Sequence, residues 1–185
     1  EGFDHPKMLE ILNRADMTVA DGVSIIIALK ILGDRHQHRT TGTDLVWETC
    51  RLAEKNGLSV GFYGSSDECL NQLRALLAKE LPGLRVAYTY SPPFRELSVE
   101  EDEALMTEMN ASQTDIMFIG LGNPKQEWWI DSHYQRSEAV LLGVGAAFDF
   151  ISGMKKRAPK VIRKLGLEWL WRLVREPKRM WHWLG

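Results

Sequence analysis

The sequence predicts an α/β protein built on a Rossmann-like, mostly parallel sheet flanked by helices, and three observations carry that expectation. Short apolar runs of strand composition alternate along the chain with helix-length segments, the order that a parallel sheet with crossover helices produces. Glycine stands beside polar residues at Asp21-Gly22, Gly64-Ser65-Ser66 and Gly120 to Glu127, and ligands of such sheets sit outside the carboxyl ends of strands. A hydrophobic share of 44% with 26% charged residues over 185 positions is the composition of one globular domain with a proper core.

Each element follows in turn. Asp4 is placed to cap a first helix with Pro6 in its first turn and Met8, Leu9 and Leu12 on one face. Residues 17–20 (MTVA) read as a short strand stopped by Asp21-Gly22, and VSIIIALKIL follows as an apolar helix closed by Gly33. After a polar loop, Thr43 can cap a helix over 44–56 that Gly57 stops, and LSVGFY (58–63) is a buried strand. Gly64-Ser65-Ser66 opens a helix ending near Pro82-Gly83, and LRVAYTY follows as a strand. Ser98 with Glu101 forms a capping box for a helix to about Asn110. DIMFIG (115–120) is the next strand, NPKQEWWIDSHY starts a helix with Pro124 at its first position, and AVLLGVG (139–145) is the last strand. Residues 1–152 are thus expected to form an α/β core, and 153–185 a helical appendage.

Composition excludes several classes. Cys50 and Cys69 supply no disulfide framework, so they read as buried free thiols in a reducing, cytoplasmic setting. No apolar run approaches the roughly 20 residues that span a bilayer, and the start lacks a signal peptide's basic and apolar regions. Because the chain opens at Glu1 without Met, it reads as a fragment or a processed form. Residues 153–185 hold ten lysines and arginines against two glutamates, leaving +8, with Trp169, Trp171, Trp181 and Trp183 among them. Such a segment suits phosphates or an anionic membrane face; the alternative is a solvated basic helix packed by its aromatics.

GLGNPK and GVGAAF each lack the third glycine of a dinucleotide fingerprint, and no stretch has P-loop spacing. Two histidines in a loop, His36 and His38, are weak evidence for a metal, and no Asp-x-Asp pair occurs, so no cofactor and no metal are expected. Two features remain for chemistry. Asp21 at a strand end is either a general base or the N-cap of the next helix, its spacing favouring neither. On a helical wheel Arg172 falls beside Leu165, Trp169 and Leu173 while Lys160, Lys164 and Arg175 lie opposite, and an arginine on a buried edge wants an anionic partner. Lys125, Gln126 and Glu127, at the start of a helix with free N–H groups, face a ligand in this reading.

Taken in order, ADG (20–22), TGTDL (41–45), GLGNPKQEWW (120–129), GVGAAFDFISG (143–153), KRAP (156–159) and LGLEWLWRLVREPKR (165–179) resemble the WecG/TagA/CpsF family of bacterial glycosyltransferases, glycosyltransferase family 26. The similarity runs from about Asp16 to Arg179. It implies an inverting, metal-independent transfer of N-acetylmannosamine or a related sugar from a UDP-sugar to an undecaprenyl-diphosphate-linked N-acetylglucosamine. That reaction serves teichoic acid linkage units or surface polysaccharides at the inner face of the cytoplasmic membrane, and it involves no nucleic acid. The resemblance makes Asp21 the catalytic base and brings Gln126 and Arg172 to the sugar nucleotide and its diphosphate. Asp44, Gly122, Lys125, Glu127 and Arg157 join them as substrate-binding positions. Lys164, Arg175, Lys178, Arg179, Trp181 and Trp183 are the expected membrane contacts. Family members carry a further N-terminal segment with a strand-end motif, so the chain is expected to lack part of the family domain; the alternative is a noncatalytic binding module. Self-association is left open.

Overall fold

A computed structural model describes residues 6–34 and 36–156, with Pro159 and Ile162 beyond them. The expected positions Arg157, Lys164, Arg172, Arg175, Lys178, Arg179, Trp181 and Trp183 lie outside the described residues. The chain divides into two compact units, one of 1–18 with 41–154 and the other of 19–40 with 155–185.

The first unit contains the sheet. Its four strands, β1 (Ser59–Gly64), β2 (Arg85–Tyr90), β3 (Ile116–Gly120) and β4 (Val140–Gly143), lie in the order β2-β1-β3-β4, and every pairing is parallel. Helices α4 (Asp67–Glu80), α5 (Val99–Ala111) and α6 (Lys125–His133) fill the connections between strands, α1 (Pro6–Arg14) and α3 (Gly42–Asn56) precede β1, and α7 (Ala147–Ile151) follows β4. This is the expected Rossmann-like α/β architecture.

Alternation along β1 and β3 divides the core between the two faces of the sheet. Val60, Phe62 and Phe118 pack against α3, α4 and α7, where Phe62 stacks on Phe118 at 5.3 Å and meets the edge of Phe148 at 5.4 Å. Tyr63, Met117 and Ile119 point the other way, into Leu105, Met106 and Met109 of α5 and the partly buried Trp129 and Ile130 of α6. Cys50 and Cys69 are both buried free thiols, and burial pushes the Cys50 thiol up to about 12, which leaves it inert at neutral pH.

Several local expectations shift. The cap of α3 is Thr41, whose hydroxyl accepts from the Asp44 N–H, while Thr43 is buried inside the helix. In α1 the buried residues are Met8 and Ile11, with Leu9 and Leu12 exposed. Pro124 precedes α6 rather than opening it, joined to Asn123 by a cis peptide bond. The capping box of Ser98 and Glu101 and the left-handed Gly57 that ends α3 are present as expected.

Residues 17–20, of which 17 and 18 belong to the first unit and 19 and 20 to the second, form no strand. They run as an irregular segment in which the Ala20 carbonyl accepts from Thr40 N–H. α2 (Val23–Ile31) follows and gives way to Gly33 at φ 101°.

Candidate active site

Ligands of open α/β sheets gather where the strand order reverses. From β1 the chain crosses to β2 on one side, and from β3 it crosses to β4 on the other, so the carboxyl ends of β1 and β3 flank the topological switch point. Gly64 and Gly120 are paired there in register. A Cβ on Gly64, whose φ is 121°, would lie 2.5 Å from the Gly120 carbonyl oxygen, and a Cβ on Gly120 would lie 2.5 Å from the Phe148 ring. Only glycine fits either position, because the neighbouring backbone and the buried Phe148 ring already fill the space a side chain would need.

Beyond β3 the chain turns through Gly122, at φ 78°, into α6. Gln126 is buried, with 8% of its surface exposed. Its Oε1 accepts from the Gly145 N–H at 2.8 Å and its Nε2 donates to Glu127 Oε1 at 2.9 Å, which ties the β3–α6 turn to the β4–α7 turn. The other carboxyl oxygen of Glu127 is buried and meets no partner among the described residues. Lys125 is exposed at the same helix start.

The rear of α6 is anchored by stacking. Trp129 lies 4.5 Å from Tyr63 and 4.1 Å from the buried His133 ring. Each ring nitrogen of His133 faces an acceptor, Nδ1 the Trp129 carbonyl at 2.6 Å and Nε2 the Asp102 carboxylate at 2.7 Å. Arg136 donates to the second Asp102 oxygen at 2.6 Å. Burial raises the Asp102 pKa, but the hydrogen bonds and charges of His133 and Arg136 outweigh it and hold the carboxyl below its usual range.

Asp44 stands in the first turn of α3, its Oδ2 accepting from the Thr41 hydroxyl at 2.6 Å. The next-door Gly42 approaches β4's exit closely, since a Cβ there would lie 2.5 Å from the Val144 carbonyl oxygen. Gly122, Lys125, Gln126 and Glu127 therefore share one turn, and Gly42 brings the start of α3 to the neighbouring one.

Asp21 belongs to the other unit. It does not cap α2: Gly22 occupies the N-cap position, without a side-chain cap bond. Arg39 instead reaches Asp21 twice, with Nε donating to its carbonyl at 2.6 Å and Nη2 lying 3.6 Å from its Oδ1. Gly22 has φ −79°, and a Cβ there would approach nothing nearer than 3.5 Å, so no unusually close turn explains that glycine.

Sequence reasoning placed Gly64-Ser65-Ser66 at a strand end but missed how that turn is held. Ser65 adopts φ 61° without being glycine, a costly conformation that its surroundings must hold. Its hydroxyl donates to Asp149 Oδ1 at 2.8 Å, and its carbonyl accepts from the Ser91 hydroxyl at 2.8 Å. Cys69 also lies beside Asp149 and Ser152, at 3.7 and 3.2 Å. The motif GVGAAFDF contains Asp149, but nothing in its local pattern announces a partner 84 positions away.

Comparison with known proteins supplies the identity that geometry alone does not. Proteins from Staphylococcus aureus strains MW2, NCTC 8325 / PS 47 and COL are each 33% identical over 177 residues, which is 95% of this chain and 68% of each relative. All three are named N-acetylglucosaminyldiphosphoundecaprenol N-acetyl-beta-D-mannosaminyltransferase. The model of the family described as Glycosyl transferase WecG/TagA/CpsF matches residues 1–184. With the match running along the same chain whose strand ends build the crevice, the protein belongs to the WecG/TagA/CpsF family of glycosyltransferases.

Proposed function

We propose that this glycosyltransferase moves an N-acetylmannosaminyl group from a UDP-sugar to N-acetylglucosaminyl-diphosphoundecaprenol, with inversion and without a metal. The observation that carries the reading is the position of the Gly122–Glu127 turn at the switch point, joined to the activity named for relatives that match 95% of the chain. In this reading Asp21 accepts the proton of the acceptor hydroxyl as its oxygen bonds to the anomeric carbon. The bond from that carbon to the UDP oxygen breaks, and the electron pair leaves with the diphosphate. Lys125, Arg157 and Arg172 meet the charge that develops there, while Gln126 and Glu127 stand at the donor and Asp44 beside them. A single displacement of this kind inverts the anomeric centre.

The acceptor is a membrane lipid, and among the described residues no helix is long and apolar enough to cross a membrane. The basic segment with Lys164, Arg175, Lys178, Arg179, Trp181 and Trp183 would rest on the anionic inner leaflet. The product would enter teichoic acid linkage units or surface polysaccharide. Incubation with UDP-N-acetylmannosamine and a soluble diphospholipid analogue of the acceptor tests the reading. Release of UDP with a disaccharide of inverted anomeric configuration is expected. No transfer, or retention of configuration, would overturn it.

A further inference from the structure

Gln126 and Glu127 stand side by side at the crevice, yet their polar atoms are differently engaged. The Gln126 amide is used at both ends by the protein, its oxygen by the Gly145 N–H and its nitrogen by Glu127 Oε1. Its orientation is thereby fixed, because the reversed amide would set a donor against the Gly145 N–H and an acceptor against the carboxyl. Glu127 has one oxygen held by that amide and a second, Oε2, buried without a partner. Buried polar atoms are nearly always bonded, and an orphan calls for a ligand or an ordered water.

We infer that Glu127 is the side chain that accepts a hydrogen bond from the sugar nucleotide, and that Gln126 is a positioning residue that aims it. The inference rests on the sugar-nucleotide reading above. The partner is a neutral donor group, a hydroxyl or an amide N–H, because a carboxyl set against the diphosphate would repel it. Such a group occurs both on the sugar and on the nucleoside, and both sources present the same hydrogen-bonding chemistry. Gly143, at the end of β4, leaves room for the Gln126 amide: a Cβ there would lie 3.1 Å from Gln126 Nε2. The carboxyl is thus set by two backbone turns and one amide rather than by a flexible side chain.

Glu127→Gln preserves an acceptor for the Gln126 amide while exchanging the orphan oxygen or its neighbour for an NH2 group. Titration calorimetry with UDP and with UDP-N-acetylmannosamine, on the wild type and this variant, tests the proposal. Loss of a hydrogen bond to a carboxylate lowers affinity by roughly tenfold or more. A loss confined to UDP-N-acetylmannosamine assigns a hydroxyl or the acetamido N–H of the sugar, and an equal loss for both ligands assigns the nucleoside. Affinities within about twofold of wild type for both ligands would overturn the role of Glu127, since a tenfold effect is the expected scale. A wild type that binds neither ligand would instead overturn the sugar-nucleotide reading, and the inference with it.

Gln126→Ala and the double variant separate positioning from contact. If Gln126 acts through Glu127, the double variant binds UDP-N-acetylmannosamine no more weakly than Glu127→Gln alone. Additive losses would show that Gln126 touches the ligand itself. Should Glu127→Gln fail to fold, competition on the wild type by UDP-sugar analogues each lacking one hydroxyl or the acetamido N–H, and by N3-methyl-UDP, gives a second measure. One analogue is expected to lose at least about tenfold, and uniform affinities would overturn the proposal.

Discussion

At Asp21, carboxylate and carbonyl are both approached by Arg39, which orients the residue without sealing it, because 61% of its side-chain surface remains exposed. Its proposed work is proton transfer. Asp21→Asn should leave folding and UDP affinity nearly intact and lower turnover ~100-fold or more, the scale of a lost general base. A turnover assay near the wild-type rate would remove Asp21 from the mechanism. Glycines separate by their surroundings in the same residue-by-residue way. Gly64→Ala combines an unfavourable φ with a backbone collision at 2.5 Å, so urea unfolding should show a loss of about 2 kcal/mol or more. Gly122 has nothing within 4 Å of its added Cβ, and Gly122→Ala should cost only the left-handed backbone, about 1 kcal/mol. The side chains at the β3–α6 turn were legible because long polar residues at a strand end have few structural uses. Their division of labour was not, because it depends on Gly145, 19 positions away.

Among the elements, α5 shows how local chemistry sets an acid response. Hydrogen bonds from Arg95 and from the Ser98 N–H hold the Glu101 carboxyl down to about 2. A depressed carboxyl contributes stability that is present above its unfolded value of about 4.3 and is lost as pH falls towards the folded one. Melting temperature should therefore fall between about pH 4.3 and 2, and Arg95→Ala should flatten that part of the profile. An unchanged slope would show that the pair contributes nothing. This helix was legible from Ser98 and Glu101 alone, as were the four strands of the sheet, since each cue lies within a few residues. Residues 17–20 misled because an apolar run carries no sign of whether a strand stands ready to pair with it; the hydrogen-bonding neighbour here is Thr40 in a loop. In α1 the buried pair is Met8 and Ile11, a choice made by α6, which packs against α1 through Lys7 over Trp128 and Arg14 with Asp131.

The whole molecule carries a net charge of −2 that conceals +8 in residues 153–185 and −10 elsewhere. If that segment meets an anionic leaflet, Lys164→Glu with Arg175→Glu should weaken vesicle binding by about 1 kcal/mol per residue near the surface, and less at high salt. Turnover with a soluble acceptor should barely change. Arg172→Ala should do the opposite, losing a charge-assisted contact to the diphosphate while keeping vesicle binding. Co-sedimentation and the soluble assay on both variants check the separation, and reversed outcomes would refute it. Since no Asp-x-Asp pair occurs in the sequence, activity should also persist in EDTA, and a strict manganese or magnesium requirement would contradict the mechanism. The bond from Ser65 to Asp149 joins positions 84 apart. Domains emerge from the ribosome amino end first, so β1, α4 and β2 are already outside when Asp149 is still to be translated. The backbone turn after β1 has to wait, in solvent, for the residue that will hold its left-handed serine. A nascent chain stalled before α7 would accordingly hold the sequences of all four strands while lacking the strap that shapes the end of β1.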